Sequence, residues 1–190
     1  MKEQTLVLLK PDAVQRGIVG EIITRFEKCG LKIVGMKMHY ASAELAGEHY
    51  AEDEEWMTTV GEKTKSSYKK RGVELEEKPI EIGRRIRDQL MDFISMSPVI
   101  ALCLEGHNAV KHVRKLVGAT APSDAAPGTI RGDYSFETYQ MADNLKRPIQ
   151  NLIHASGEVE EAQREVSIWF DEDELFEWKH LEEVLLYREG

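Results

Sequence analysis

The sequence predicts an α/β (α+β) fold in which helices cover the faces of an antiparallel sheet. Four short apolar segments, at residues 5–9, 34–40, 98–104 and 151–154, have the length of strands. Between them, apolar residues recur three and four positions apart, which is the spacing of an amphipathic helix. The chain has 190 residues, of which 42% are hydrophobic, and this is enough for a single domain with a buried core.

The first part of the chain alternates strand and helix signals. The strand at 5–9 ends before Pro11, because proline cannot donate to a central ladder. A helix follows whose end is marked by Gly30. Its apolar face comprises Ile18, Val19, Ile22, Ile23 and Phe26. Alternating apolar residues then predict a half-buried strand at 34–40, followed by a short helix at 44–50.

Residues 52–88 carry blocks of alternating charge with few apolar anchors. Acidic residues at 52–55 precede a basic cluster, and further glutamates follow it. The basic cluster comprises Lys63, Lys65, Lys69, Lys70 and Arg71. Such a pattern predicts a solvent-facing insertion. An amphipathic helix over about 83–95 overlaps its end and returns the chain to the core.

The second part of the chain completes the pattern. The strand at 98–104 precedes a helix at 109–117 and a turn-rich loop at 119–128. The strand at 151–154 precedes a last helix at 159–170. The resulting order, β-α-β-(α)-α-β-α-loop-β-α, predicts a ferredoxin-like split β-α-β sandwich. Such a fold hosts many functions and does not by itself identify one.

Composition and charge exclude several classes of protein. The net charge of −9 argues against a general nucleic-acid-binding protein, which needs an excess of lysine and arginine, although the cluster at 63–71 leaves a local basic patch open. No apolar run approaches the roughly 18 residues of a membrane span, and the first residues lack the plan of a secretory signal. Cys29 and Cys103 form no disulfide pattern, so we expect a reducing cytoplasm.

Candidate catalytic residues occur singly rather than in a glycine-rich phosphate loop or a zinc-ligand pattern. His154 ends a strand and is followed by the small residues Ala155 and Ser156, which leave room for a group on the ring. A neutral imidazole nitrogen can act as a covalent nucleophile. The alternative is a strand-end histidine bonded to the backbone.

Basic residues near strand and helix ends offer a phosphate-binding chemistry. Lys10 follows the first strand, Arg114 lies opposite the apolar stripe of its helix, and Arg131 lies between two glycines. Arginine matches phosphate oxygens with its fork, and lysine supplies a point charge. Taken singly, each of them is equally compatible with an ordinary surface cation.

Several separated segments together resemble the signature segments of nucleoside diphosphate kinases. These segments are Leu9-Lys-Pro-Asp-Ala-Val-Gln-Arg-Gly-Ile-Val-Gly-Glu-Ile22, Gly-x-Asn-x-Val-Lys at 106–111, Pro127-Gly-Thr-Ile-Arg-Gly-Asp133 and Asn151-Leu-Ile-His-Ala-Ser156. The similarity continues into the helix at 159–170, and it covers most of residues 3–50, 89–135 and 149–188. Their order along the chain also matches that of the family.

The resemblance implies an enzyme that transfers the γ-phosphate of a nucleoside triphosphate to a nucleoside diphosphate by a ping-pong mechanism. His154 would become phosphohistidine, Lys10 would bind the transferring phosphate and Tyr50 would orient it. The resemblance assigns phosphate binding to Arg114, Thr120 and Arg131. It places Asn151 at the ribose hydroxyl and the bridging phosphate. Ser156 and Glu165 would orient the histidine.

The resemblance also implies a cofactor and an assembly. Mg²⁺ would be held mainly by nucleotide phosphates, so no metal-binding residues of the protein are expected. The subunits would form a homo-oligomer, either a hexamer or a tetramer, without membrane or nucleic-acid partners. The aromatic tail residues Phe176, Trp178 and Tyr187 are compatible with packing inside the chain or against a neighbour.

Three features depart from the family pattern. The charged insertion at 52–88 leaves two candidates for the surface that stacks on the base, Trp56 and a residue near Ile86. A second insertion at about 135–148 separates the segment of Arg131 from the histidine strand. Ala155 replaces the glycine that is usual after the histidine. We predict a single domain over 1–190 and an active enzyme; the alternatives are a nucleotide-binding regulator that has lost catalysis and a nucleic-acid-binding protein.

Overall fold

The structure is a computed structural model that describes residues 2–181 and 183. The described chain divides into two compact units. The first unit contains the residues up to Tyr40 and those from Ser97 onwards, and the second contains Ala41–Met96. Among the described residues, no helix combines the length and apolar character that crossing a membrane requires. The prediction of one domain over the whole chain stays a prediction.

The first unit is built on a four-stranded antiparallel sheet. Its strands are β1 (Lys2–Leu9), β2 (Lys32–His39), β3 (Val99–His107) and β4 (Ile153–Ala155). The spatial order is β2-β3-β1-β4, and every neighbouring pair is antiparallel. The predicted α+β, ferredoxin-like fold class is therefore confirmed.

The helices of the described chain are α1 (Pro11–Gln15), α2 (Val19–Lys28), α3 (Ala43–His49), α4 (Glu54–Lys70), α5 (Pro79–Ser95), α6 (Ala109–Val117), α7 (Ile130–Tyr134), α8 (Tyr139–Asn144) and α9 (Val159–Trp169). Short 3₁₀ turns occur at Pro122–Asp124 and Glu172–Glu174. The sequence missed α1, which begins at Pro11; proline suits the first helical turn, where its missing N–H is not needed. It also missed α7 and α8, each of which begins after a threonine that caps its N-terminus.

The core of the first unit lies between one face of the sheet and helices α2 and α6. Alternate residues of β1, Val7 and Leu9, contact Phe26 of α2 and Val113 of α6 in a single apolar cluster. Helix α9 also packs on β1, and its Trp169 is fully buried. The sheet thus has helices against it along β1 and β4, the strands that carry the candidate site.

The second unit contains the charged segment at 52–88, which is largely helical and has few buried residues; that it is an insertion stays a prediction. Residues 54–70 form α4, and α5 begins at Pro79, four residues earlier than its apolar pattern indicates. The two helices pack against each other through glycines: a Cβ at Gly61 would lie 1.8 Å from the carbonyl oxygen of Pro79, and one at Gly83 would lie 2.0 Å from that of Met57. Close backbone approach at the two glycines thus adds to the burial of Met57 and Ile82, and a hydrophobicity pattern does not detect the glycine contacts.

The tail covers part of the outer strand β2. The pairing of β2 with β3 shifts by one residue between Ile33 and Gly35, which makes Val34 a β-bulge. The N–H of Phe176 donates to the Val34 carbonyl at 2.7 Å, and Trp178 Nε1 donates to the Ile33 carbonyl at 3.1 Å. The tail is therefore bonded to β2, although the side chains of Phe176 and Trp178 stay exposed; Tyr187 lies outside the described residues.

Candidate active site

His154 lies in the short edge strand β4, opposite Leu8 of β1. Its side chain is one-fifth exposed (20%), and its Nε2 lies 2.9 Å from Oε2 of Glu165. The hydroxyl of Ser156 donates to the same carboxylate oxygen at 2.6 Å. Glu165 comes from α9 and is almost fully buried. A carboxylate that accepts from Nε2–H assigns the proton to that nitrogen and leaves the ring lone pair on Nδ1.

Lys10 and Asn151 contact each other at the start of the same strand pair. The Nζ of Lys10 donates to Oδ1 of Asn151 at 2.9 Å, and Nδ2 of Asn151 donates to the Thr120 carbonyl at 2.8 Å. Both Lys10 and Asn151 are buried. Burial is the main cause that lowers the pKa of Lys10 to about 8; the charge of Arg131 lowers it further, and that of Asp12 opposes the shift.

Arg131 is more deeply embedded than its glycine-flanked sequence indicates. It lies in α7, is 4% exposed, and donates to four backbone carbonyls. Its Nε donates to the carbonyl of Asn151 at 3.0 Å and its Nη2 to that of Ile153 at 2.6 Å. Its Nη1 donates to the carbonyls of Gly118 and Ala119 at 3.1 and 3.2 Å. Burial, and then the charge of Arg114, lowers the pKa of Arg131 to about 10.

Arg114 and Thr120 form the exposed side of the same cluster. Arg114 lies in the last turn of α6, and its Nη1 donates to the carbonyl of Ala155, directly after His154, at 3.4 Å. Thr120 follows Gly118, whose φ of +87° is accessible to glycine at little cost. A Cβ at Gly118 would lie 2.5 Å from the hydroxyl oxygen of Thr129. The glycine therefore allows the chain to turn from α6 towards Thr120.

Asp12 is a residue of this site that the sequence analysis did not single out. Its Oδ2 accepts from the N–H of Leu152 at 2.9 Å, although the two residues are 140 positions apart. Its pKa is raised, chiefly by burial. The only sequence signal was its place directly after Lys10 and Pro11, and no local pattern indicates its distant backbone partner.

Three residues considered for the site lie in the second unit and are described within it. Tyr50 follows the last turn of α3, and its carbonyl accepts from Nε of Arg87 at 2.6 Å. Trp56 lies half-exposed near the start of α4, and Ile86 lies in the middle of α5. The role of Tyr50 and the choice between Trp56 and Ile86 stay predictions.

Most of the residues singled out from the sequence thus form one connected cluster in the first unit. Direct hydrogen bonds link Lys10 to Asn151, Asn151 to Thr120 and Arg131, and Arg114 to Ala155. Glu165 accepts from both His154 and Ser156. The cluster combines three cationic side chains with an imidazole whose orientation is set by a buried carboxylate. Such an arrangement suits an anionic, multiply charged substrate and nucleophilic catalysis.

Comparison with known proteins agrees with this chemistry. The model of the family described as nucleoside diphosphate kinase matches residues 3–64 and 79–175, which include parts of both units and omit part of the charged segment. A nucleoside diphosphate kinase from Pyrobaculum aerophilum is 47% identical over 180 residues, covering 92% of this chain and 98% of that protein.

Two solved structures extend the comparison. An NDP kinase from Pyrobaculum aerophilum has a TM-score of 0.90 at 44% identity, covering 93% of this chain and all of that one. A transition-state mimic of the nucleoside-diphosphate kinase from Borrelia burgdorferi, with bound vanadate and ADP, has a TM-score of 0.79 at 35% identity, covering 97% of this chain and 96% of that one. By its sequence and its fold, the chain belongs to the nucleoside diphosphate kinase family.

Proposed function

We propose that His154 is the residue through which this nucleoside-diphosphate kinase transfers its phosphoryl group. In the first step, the Nδ1 lone pair attacks the γ-phosphorus of a nucleoside triphosphate. The bond from that phosphorus to the bridging oxygen breaks, and the diphosphate leaves with the electron pair. In the second step, a terminal oxygen of another nucleoside diphosphate attacks the phosphohistidine, and the N–P bond breaks.

The buried carboxylate of Glu165 is the observation that carries the proposal. It accepts from Nε2 of His154 at 2.9 Å, so it fixes the ring orientation and stabilises the positive charge that develops on the imidazole. The hydroxyl of Ser156 donates to the same oxygen and holds the carboxylate in place. A histidine bonded only to the backbone would lack this charge compensation.

The cationic residues have the charge that phosphoryl transfer requires. Catalysis of this reaction depends mainly on positioning and on neutralising charge on the phosphate oxygens. We assign Lys10 to the transferring phosphate and Arg114, Arg131 and Thr120 to the remaining phosphates. Four of the five N–H groups of Arg131 already have carbonyl acceptors, so its contribution is one N–H and a buried positive charge.

Magnesium fits this site as part of the nucleotide rather than as a resident ion. The carboxylate beside the histidine, that of Glu165, is already bonded to His154 and Ser156. The ligands of Mg²⁺ would therefore be phosphate oxygens and water, as this ion often prefers. When bound, the ion neutralises phosphate charge.

Donor and acceptor nucleotides would use one pocket in turn, because the enzyme stores the phosphoryl group between the two visits. The Borrelia burgdorferi relative has bound vanadate and ADP, which supports a nucleotide as the substrate of this chain. We further propose that Asn151 contacts the ribose hydroxyl and the bridging phosphate, and that Tyr50 orients the transferring group. A homo-oligomer (hexamer or tetramer) and a cytoplasmic location also stay predictions.

Labelling with γ-³²P-ATP tests the nucleophile. Wild-type protein is expected to retain a phosphate that is labile in acid and stable in base, because phosphoramidate bonds of histidine hydrolyse in acid. His154→Ala is expected to abolish the label, since it removes the attacking nitrogen.

His107→Ala is the matched control for this experiment. His107 is an exposed histidine that pairs with Lys2, at the opposite end of the sheet from His154. Its variant should keep full labelling. Persistence of the label in the His154 variant would contradict the proposal, and loss of nucleotide-dependent labelling in the wild type would favour a binding protein without catalysis.

A further inference from the structure

Leu152 adopts a backbone conformation that residues of its kind rarely take. Its φ is +70°, and the N–H of Ile153 donates to the carbonyl of Asn151 at 2.8 Å. These features define a γ-turn with a positive φ at its central residue, a rare and strained form. Leu152 is also buried in the core of the first unit. Strain of this kind persists only where surrounding contacts over-determine the conformation.

The chain directly after β1 supplies the contacts at the centre of this turn. The N–H of Lys10 donates to the carbonyl of Leu152 at 2.8 Å, and the N–H of Leu152 donates to Oδ2 of Asp12 at 2.9 Å. Arg131 donates to the carbonyls of the residues on either side of Leu152. Asp12 thus provides the acceptor for an N–H that would otherwise be buried and unpaired.

The strained turn separates two residues of the candidate site. Asn151 precedes Leu152 and contacts Lys10 through its side chain, whereas His154 follows by two residues and contacts Glu165. A regular strand would continue the pairing of β4 through Asn151, but β4 begins only at Ile153. The turn therefore sets the separation between Asn151 and the imidazole.

We propose that Asp12 is a positioning residue for phosphoryl transfer, because it holds the turn at Leu152 in the conformation that lets Asn151 and His154 act on the same nucleotide. The inference rests on the function proposed for His154. Asp12 acts through the backbone of Leu152 and through Lys10, without itself touching the nucleotide.

The carboxylate of Asp12 has a second effect, on the charge of Lys10. The charged groups that act on Lys10 are Arg131, which lowers its pKa, and Asp12, which raises it, while burial lowers it most. The side chain bonded to its Nζ is the neutral amide of Asn151. Oδ1 of Asp12 is buried and has no hydrogen-bond partner among the described residues. Removal of the Asp12 charge therefore favours the neutral amine and moves the deprotonation of Lys10 to lower pH.

Two variants separate the backbone contact from the charge. Asp12→Asn keeps an oxygen that can accept from the N–H of Leu152 but loses the charge, and Asp12→Ala loses both. We expect the single-turnover rate of enzyme phosphorylation by saturating γ-³²P-ATP to fall on the order of 10- to 100-fold in Asp12→Ala, as small misplacements of reacting groups do. Asp12→Asn should stay close to the wild-type rate. In both variants, the alkaline fall in kcat/KM should begin at lower pH.

Circular dichroism and active-site titration of each variant give the folded fraction, and each rate is divided by that fraction. A purely structural role would lower the melting temperature but leave both the rate per folded molecule and the pH profile of kcat/KM unchanged, and that result would overturn the inference. Should Asp12→Ala fail to fold, the pH profile of Asp12→Asn still tests the inference, because an unchanged alkaline fall in kcat/KM would contradict it. Wild-type label on a residue other than His154 would refute the proposed function, whereas label on His154 with an unaffected Asp12→Ala would refute only this inference.

Discussion

Arg131 shows how one side chain can serve both the fold and the site. Its four carbonyl partners belong to the loop after α6 and to the segment before His154, so it joins two chain regions that carry substrate-binding residues. The sequence left open that Arg131 is an ordinary surface cation. That alternative is wrong, because the guanidinium is buried and its N–H groups bond to backbone carbonyls.

We expect Arg131→Ala to lower the free energy of unfolding by about 3 kcal/mol, because several buried carbonyls lose a charged donor. Arg114→Ala is the matched control, since Arg114 is exposed and makes one long contact to a backbone carbonyl. Its unfolding free energy should stay within about 0.5 kcal/mol of the wild type, while its KM for nucleotide rises. Urea unfolding measures the stability of the two variants, and steady-state kinetics measure the KM. Equal stability of the two variants would contradict the structural role of Arg131.

The lowered pKa of Lys10 predicts an alkaline limit to substrate capture. The ammonium form binds phosphate, and burial favours the neutral amine, so the charge is lost as pH rises through about 8 in the free enzyme. We expect kcat/KM to fall above that pH, whereas kcat should fall only at higher pH, because bound phosphate stabilises the ammonium. Steady-state rates between pH 6.5 and 10 test this.

Lys10→Met provides the control for the pH profile. Its residual activity should show no fall near pH 8, since the titrating amine is absent. A wild-type kcat/KM that stays constant through the whole range would show that another group binds the transferring phosphate.

At the scale of the elements, local sequence patterns predicted the strands and helices whose buried residues recur at regular spacing. The strand β3 and the helix α6 follow from uninterrupted apolar periodicity. The pair α4 and α5 follows from it only in part, because two close backbone contacts of this pair lie at glycines, which carry no hydrophobic signal. The start of β4 was also placed two residues too early, since its first residues form a turn held by Asp12 and Arg131 from distant parts of the chain.

Gly83→Ala tests the close approach between α4 and α5. The added methyl group would lie 2.0 Å from the carbonyl oxygen of Met57, so the helices must separate. We expect a loss of about 1–3 kcal/mol in the free energy of unfolding, measured by urea denaturation.

The matched control is Gly20→Ala in α2, where a Cβ would meet no heavy atom of the described residues within 4 Å. Because alanine has the higher helix propensity, this change should stabilise the protein by up to about 1 kcal/mol. If the two variants have the same stability, the close backbone contact at Gly83 does not determine how α4 and α5 pack.

At the scale of the whole molecule, the sequence identified the chemistry better than the organisation. The segments around Lys10, Arg131 and His154 lie far apart along the chain, and antiparallel pairing of β1 with β4 brings the first and last of them together. The two-unit division and the path of the tail depend on packing between distant segments, for which a single sequence carries no comparable signal.

The tail contact with β2 has a consequence for self-association. An outer strand normally offers its free carbonyl and N–H groups to strands of other molecules, a common route to aggregation. Here the Ile33 and Val34 carbonyls are already occupied by Trp178 and Phe176, so an intruding strand finds acceptors only beyond the bulge. The tail segment with Phe176 and Trp178 thereby protects the first half of the edge strand β2. The second half, with the exposed Met36 and Met38, stays accessible.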